Sequence, residues 1–246
     1  MKIAALGVAL LLATGAGVKA AEITVFSTNA VKTVLEELGP QFERASGHRL
    51  AFRFAPTSVL KAQIEKGEAF DLAILTAAAA DDLIRQAKLA AATRVDVARS
   101  GMGVAIRKGA ARPDLSSEEA FKRALLQAKS ITYTGAGFSG PNLRKIFERF
   151  GIADEMKAKT RVASGNAAEA VSRGEAELGF TQASEILHVT GAEFAGPFPP
   201  GVQVHTVFPA AVGTSAREPA AAQALIRFLT SPATAPVIKA NGMEPG

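Results

Sequence analysis

The stretch VFSTNAVKTVL, Val25 to Leu35, decides the fold. Its first half reads as a buried strand. Its second half, continued through Ser46, places apolar residues on one face of a helix and meets a stop at Gly47. Between the halves stand Ser27, Thr28 and Asn29. Residues of these types are favoured helix N-caps. A helix N-terminus also carries unpaired N–H groups and partial positive charge, so it attracts anions. The trio is therefore a plain cap, or one wall of an anion site.

The same strand-to-helix step recurs along the chain. EITVFS, HRLAFRFA, FDLAILT, RSGMGVAIRKGA, SITYTG, TRVAS, AELGFTQA and QVHTVFPAAVG are each expected to be or contain a strand. Helices are expected over NAVKTVLEELGPQFERASG, TSVLKAQIEKGE, AAADDLIRQAKLA, GPNLRKIFERFGIADEMKAK, NAAEAVSRGE and PAAAQALIRFLTSPATAPVIKANG. SSEEAFKRALLQA opens like a capping box, with Ser116 as cap and Glu119 three residues on. The Pro/Gly cluster FAGPFPPGV marks a loop over Gly196 to Gly201. Regular alternation implies an α/β fold with mainly parallel sheets.

The chain has 246 residues, 48% hydrophobic and 21% charged, enough for one large domain or two small ones with a real core. There is no cysteine, which rules out disulfides, thiolate metal sites and a cysteine nucleophile. His48, His188 and His205 have no metal-ligand spacing. Met1-Lys2, an apolar run from Ile3 to Val18 and the small residues after it read as a secretory signal peptide, residues 1–21, cut after Ala20 or Ala21. The run is short for a membrane span, which needs about 20 residues. The expected destination is the periplasm. Losing Lys2 and Lys19 lowers the formal charge of +5 by two. Basic and acidic residues are interleaved, and with 6% aromatics and no Trp the chain lacks the stacking, basic face of a nucleic-acid binder. A modest positive field suits a small anion.

Ligands in open α/β sheets bind where strand C-termini meet helix N-termini. Four such junctions are rich in hydroxyls and amides and poor in charge: Ser27–Asn29, Thr57–Ser58, Ser139 and Gly140 through Asn142, and Ser164 to Asn166. One alone would be a cap. Four together point to a shared pocket. GAGFSG, Gly135 to Gly140, matches a dinucleotide fingerprint, but it lies mid-chain and TRVAS ends without the acidic residue a ribose needs. It reads better as a turn that lets backbone N–H groups approach a ligand. It also lacks the Lys-Ser/Thr of a P-loop. No G-x-S-x-G nucleophile elbow occurs. His48 reads as part of a surface turn. His188 and His205 are candidate bases without an evident nucleophile, Asp71 reads as a loop tether, and Asp81-Asp82 as a helix start.

ITVFSTNAVKTVLEELGPQFERASGHRLAFRFAPTSVLKAQIEKGEAFDLAIL, GPNLRKIFERFGI and EAVSRGEAELGFTQASEI carry a family resemblance. They resemble the periplasmic substrate-binding proteins of ABC importers, type II, and within them the molybdate/tungstate-binding group. The resemblance spans nearly the whole chain after the leader. It implies a two-lobed α/β fold, mixed mainly parallel sheets with helices on both faces, and closure on the ligand like a hinged trap. One lobe would comprise residues 22–101 and 205–246, the other 102–204. In that group neutral hydroxyls and backbone amides hold a tetrahedral oxyanion. The matching positions are Ser27 or Thr28, then Thr57 with Ser58, then Ser139, then Ser164 to Asn166. The last contact in the group is often a Tyr hydroxyl, and Gln182 stands there here. The first strand–helix loop is also two or three residues shorter than the family's.

These features lead to an extracytoplasmic binding protein, monomeric, without cofactor, metal or catalytic residue, that passes a small anion to a membrane permease. Molybdate or tungstate is the first ligand class. A di- or tricarboxylate is the second, because Gln182 offers an acceptor as well as donors. A carboxylate would call for an Arg fork, with Arg53, Arg144 and Arg161 as candidates. An exported enzyme and a chemosensory ligand-binding partner are the competing classes.

Overall fold

The computed structural model describes residues 20–134 and 139–246. The expected signal peptide, apart from its last two residues, and Gly135 to Phe138 of the glycine-rich turn lie outside the described residues. In chain order the elements are β1 (Glu22–Thr28), a 3-10 turn at Asn29–Val31, α1 (Lys32–Ser46), β2 (Arg49–Ala55), α2 (Thr57–Glu65), β3 (Leu72–Ile74), α3 (Ala77–Arg85) and β4 (Val95–Arg107). Then follow α4 (Glu118–Gln127), β5 (Ile131–Thr134), α5 (Ser139–Phe150), α6 (Ala153–Lys159), β6 (Thr160–Ala163), α7 (Ala167–Ser172), β7 (Leu178–Gln182) and α8 (Ala183–Ile186). The chain closes with β8 (Ala192–Pro197), β9 (His205–Val212), α9 (Pro219–Leu229), α10 (Ala235–Ala240) and β10 (Glu244–Pro245). No helix among the described residues is long and apolar enough to cross a membrane.

The strands run in the order β2-β1-β3-β9-β4-β7-β5-β6, with β8 and β10 added on β4. Pairing is parallel for β1 with β2 and β3, and for β5 with β6 and β7. It is antiparallel wherever β4 or β9 takes part. β4 is long because it serves both lobes. Its first half pairs with β9 from Val95 to Gly101, and its second half with β7 and β8 from Met102 onward. Each lobe is a sheet between two helix layers, as side chains alternate across a strand. In the first lobe Val25, Leu72 and Ile74 face α1, α9 and α10, whereas Phe26 and Ala73 face α2 and α3. In the second, Val104 and Phe180 face α4, α5 and α6, and Ala105 faces α7 and α8.

Local chemistry sets the element ends that matter for the site. Gly47 takes φ 75°, the left-handed conformation a side chain resists, and its N–H bonds Glu43 O at 2.9 Å to end α1. At Gly179 a Cβ would come 2.7 Å from Val171 and 3.0 Å from the Ala167 carbonyl oxygen. Glycine there lets α7 lie directly on β7.

Four expectations need correction. Asp81 and Asp82 do not start a helix, since α3 begins at Ala77 after Thr76 and the pair lies in its second turn. The cap of α4 is Ser117, whose hydroxyl accepts the Ala120 N–H at 3.1 Å. Ser116 is captured by Asp114, to which it donates through both its N–H and its hydroxyl, so no capping box with Glu119 forms. The loop foreseen from Gly196 begins later, because Gly196 and Pro197 still pair with β4 at its edge. His48 is buried rather than in a surface turn. Its Nδ1 accepts the Ala21 N–H and its ring stacks near Phe42.

Candidate anion-binding cleft

Parallel pairing of Ser27 with Phe54 and Thr28 with Ala55 brings the ends of β1 and β2 side by side. The Ser27–Asn29 trio and the start of α2 therefore share one edge of the first lobe. Ser27 is 0% exposed, and its hydroxyl donates only to the neighbouring Thr28 carbonyl, at 3.2 Å. Thr28 occupies the cap position of the 3-10 turn, yet makes no side-chain cap bond. Capping thus does not explain these hydroxyls. At α2 the cap position is Pro56, which has no capping side chain. Val59 and Leu60 donate to the Pro56 carbonyl, and the N–H groups of Thr57 and Ser58, in the first turn, lie beyond the reach of helical pairing.

In the second lobe the strand ends β5, β6 and β7 bring the remaining junctions together. Thr134 pairs with Ala163, and the Thr134 hydroxyl donates to the Gly165 carbonyl at 3.0 Å. Ser139 and Gly140 are buried at the start of α5. Ser164 is exposed in the loop before α7. Asn166 is the cap of α7: its Oδ1 accepts the Ala168 N–H at 2.8 Å, and its Nδ2 donates to the Glu185 carbonyl at 3.0 Å. Both ends of this amide are occupied, capping α7 and holding it to α8.

Gln182 ends β7 and takes the cap position of α8 without a side-chain cap bond. It is 9% exposed, and its Oε1 is buried with no hydrogen-bond partner. Leaving such a carbonyl unpaired costs about 1–3 kcal/mol. The helix it starts, α8, packs against Asn29–Val31 of the opposite lobe. The turn after β1 and the helix headed by Gln182 thus meet where the two lobes touch.

Glu185 went unnoticed in the sequence. Its carboxylate reaches back to the Gln182 N–H and accepts the Thr181 hydroxyl. Burial pushes its pKa above the usual carboxylate range, and these two hydrogen bonds oppose the shift. The Gln182-x-x-Glu185 spacing, cap position followed by an acid three residues on, was the available signal.

The charged candidates are engaged elsewhere or exposed. Arg53 pairs with Glu68 and lies 5.4 Å from the Phe26 ring centre. Arg161 donates to the Glu175 carbonyl, and Arg144 is on the exposed face of α5. Asp71 accepts backbone N–H groups from Thr24, Arg217 and Glu218, the tether role read from its sequence context. Asp82 joins Lys61 and Arg85, Asp81 joins Arg94, and His205 lies 3.9 Å from Glu244. His188 is exposed. Among the described residues no group of three His, Cys, Asp or Glu could hold a metal ion.

The family model described as "Bacterial extracellular solute-binding protein" matches residues 23–244, and the chain belongs to that family. It is 32% identical over 250 residues to the aconitate isomerase of a Pseudomonas species, covering 98% of this chain and 95% of that one. It is 28% identical to the molybdate-binding protein of Azotobacter vinelandii, covering 95% and 96%. Its fold is similar to the structure of the Azotobacter vinelandii periplasmic molybdate-binding protein, with a TM-score of 0.73 at 21% identity, over 91% of this chain and 99% of that one.

Proposed function

We propose that this member of the solute-binding family captures a small anion between its lobes in the periplasm and delivers it to the permease of an ABC importer. The supporting observation is the contact between α8, headed by Gln182, and the Asn29–Val31 turn of the other lobe. Ser27 to Asn29 and Thr57–Ser58 offer hydroxyls and open N–H groups on one side. Ser139, Gly140, Ser164 and Gln182 stand at strand–helix junctions of the other lobe, whose α8 touches the Asn29–Val31 turn. Neutral donors at helix N-termini stabilise negative charge without a buried counter-ion. Residues 22–101 with 205–246, and 102–204, act as the closing lobes of a monomer, after removal of a leader ending at Ala20 or Ala21. A tetrahedral oxyanion of the molybdate or tungstate type suits a cradle without a guanidinium. A di- or tricarboxylate suits the open carbonyl of Gln182. Calorimetric titration of the mature chain with molybdate, tungstate, sulfate and a carboxylate panel tests the reading, and absence of heat with every anion rejects it.

A second reading is favoured by one observation. Next to Gln182, burial raises the Glu185 carboxyl above the usual carboxylate range, the direction of shift that suits a general base. With the relative named aconitate isomerase, this supports an enzyme that shifts a proton within an unsaturated tricarboxylate. Aconitate incubated with the protein in deuterated water separates the two. A binding protein leaves it unlabelled and unchanged by NMR, whereas an isomerase incorporates deuterium and yields the other isomer.

A further inference from the structure

Where the chain passes between lobes, β4 and β9 set Ser100 directly opposite Thr206. Residues opposite in an antiparallel pair share one face, with Cβ atoms about 5 Å apart. The Ser100 hydroxyl lies 3.2 Å from that of Ser184 in α8, and both residues are buried. Thr206 is 5% exposed, and its hydroxyl has no hydrogen-bond partner. The three hydroxyls thus connect the first lobe's crossover to the helix headed by Gln182, whose carbonyl is likewise buried and unpaired.

Their position relates them to the cleft. β9 is antiparallel to β3, with Ile74 opposite Ala210. The N-terminal end of β9, where Thr206 stands, therefore runs past the C-terminal end of β3. That is the edge at which β1 delivers Ser27 and Thr28, since Ser27 is opposite Ile74. Ser100 and Thr206 continue the sheet face that carries Ala98 and Phe208, the face covered by α1 and α9. Asn29–Val31 precedes α1, and α8 packs against that turn. The hydroxyl group is thereby placed at the base of the interlobe junction.

We infer that Ser100, Ser184 and Thr206 form a second polar subsite at the floor of the cleft. With Gln182, it takes a hydroxyl or protonated carboxyl arm of a ligand whose anionic end is held at the helix N-termini. This rests on the proposed reading of the cleft as an anion trap, and it names the substrate class: a hydroxy- or polycarboxylic acid, not a bare tetrahedral oxyanion. The argument is one of satisfaction. Two buried polar atoms lack protein partners at the same junction, and a ligand arm that can pair with both is favoured over one that cannot. A fully deprotonated oxyanion offers no donor to the Gln182 carbonyl, whereas a hydroxyl or carboxylic acid does. A hydroxyl such as that of Thr206 can serve either as donor or as acceptor to such an arm.

The test uses the mature full chain, with molybdate, citrate, tricarballylate and trans-aconitate as probes in calorimetry. Thr206→Val keeps the shape and removes the hydroxyl, and Ser100→Ala and Ser184→Ala shorten the chain of hydroxyls. The wild type should bind at least one of the three carboxylates more tightly than molybdate. Thr206→Val should weaken that binding tenfold or more, and Thr206→Ser should restore it. Thr206→Val should also raise the melting temperature of the empty protein, because it removes an unpaired buried hydroxyl. Binding of molybdate alone would overturn the inference and leave the anion trap standing. So would carboxylate binding that Thr206→Val leaves unchanged, the hydroxyl then serving at most an ordered water. No binding of any probe, with sulfate and tungstate added, would remove the anion trap itself.

Discussion

The side-chain amide of Gln203 holds the peptide group of Met102 from both sides. Met102 N–H donates to Gln203 Oε1 at 2.9 Å, and Gln203 Nε2 donates to the Met102 carbonyl at 3.0 Å. Met102 is the residue at which β4 leaves β9 and begins to pair with β7. An amide can make this two-way bond, and neither a carboxylate nor an aliphatic chain can. Backbone bonds from Met102 N–H to Val204 and from Phe198 N–H to Met102 remain if it is lost. We therefore expect Gln203→Leu to cost about 1–2 kcal/mol in denaturant unfolding. Ligand release, followed by stopped flow, should quicken because the crossover is less restrained. Unaltered unfolding and release would show that the backbone bonds suffice.

Ser27→Ala with Thr28→Ala should abolish anion binding with a loss of stability of less than about 1 kcal/mol. Neither hydroxyl caps the turn, and the Ser27 bond to Thr28 is local. Calorimetry and thermal melting on the same sample check both parts. Full affinity in the double variant would return these hydroxyls to a packing role.

Asp71 should behave in the opposite way. Its Oδ1 accepts the Arg217 and Glu218 N–H groups and its Oδ2 the Thr24 N–H. Asp71→Asn sets an amide donor against one of these donors in a buried place. A loss of about 2–4 kcal/mol is expected, with affinity preserved in whatever remains folded. Loss of binding at full stability would assign Asp71 to the ligand instead.

Ser117→Ala should cost about 1 kcal/mol, the usual value of an N-cap, and Ser116→Ala less than about 0.5 kcal/mol. Equal effects would contradict the placement of the cap. The pair also shows where reading a sequence stops. Only Ser116 has an acid three residues on, yet Ser117 is the cap, because Asp114 captures Ser116 from two residues away. The strand–helix alternation was legible because each segment carries its own periodicity. β8 was not, since its half-buried residues include a glycine and it ends in an exposed proline, at an edge of β4. α8 is a single turn, too short for any period. The hydroxyl-rich junctions could be read locally, residue by residue. The unpaired Gln182 carbonyl and the Ser100–Thr206 pair could not, because both follow from register between distant strands.

Glu185 makes stability depend on pH in a direction that can be fixed in advance. Burial raises its pKa in the folded chain above the value it has when unfolded. Between those two values the folded state binds more protons, so stability falls as pH rises through the window. The contribution is complete below the unfolded pKa and lost above the folded one. Glu185→Gln keeps an acceptor for the Thr181 hydroxyl and the Gln182 N–H but cannot titrate. Urea unfolding measured across this window should slope downward with rising pH for the wild type, and more shallowly for the variant. If the two slopes coincide, the carboxyl is solvated in the folded chain. The general-base reading then loses its physical basis along with the pH effect.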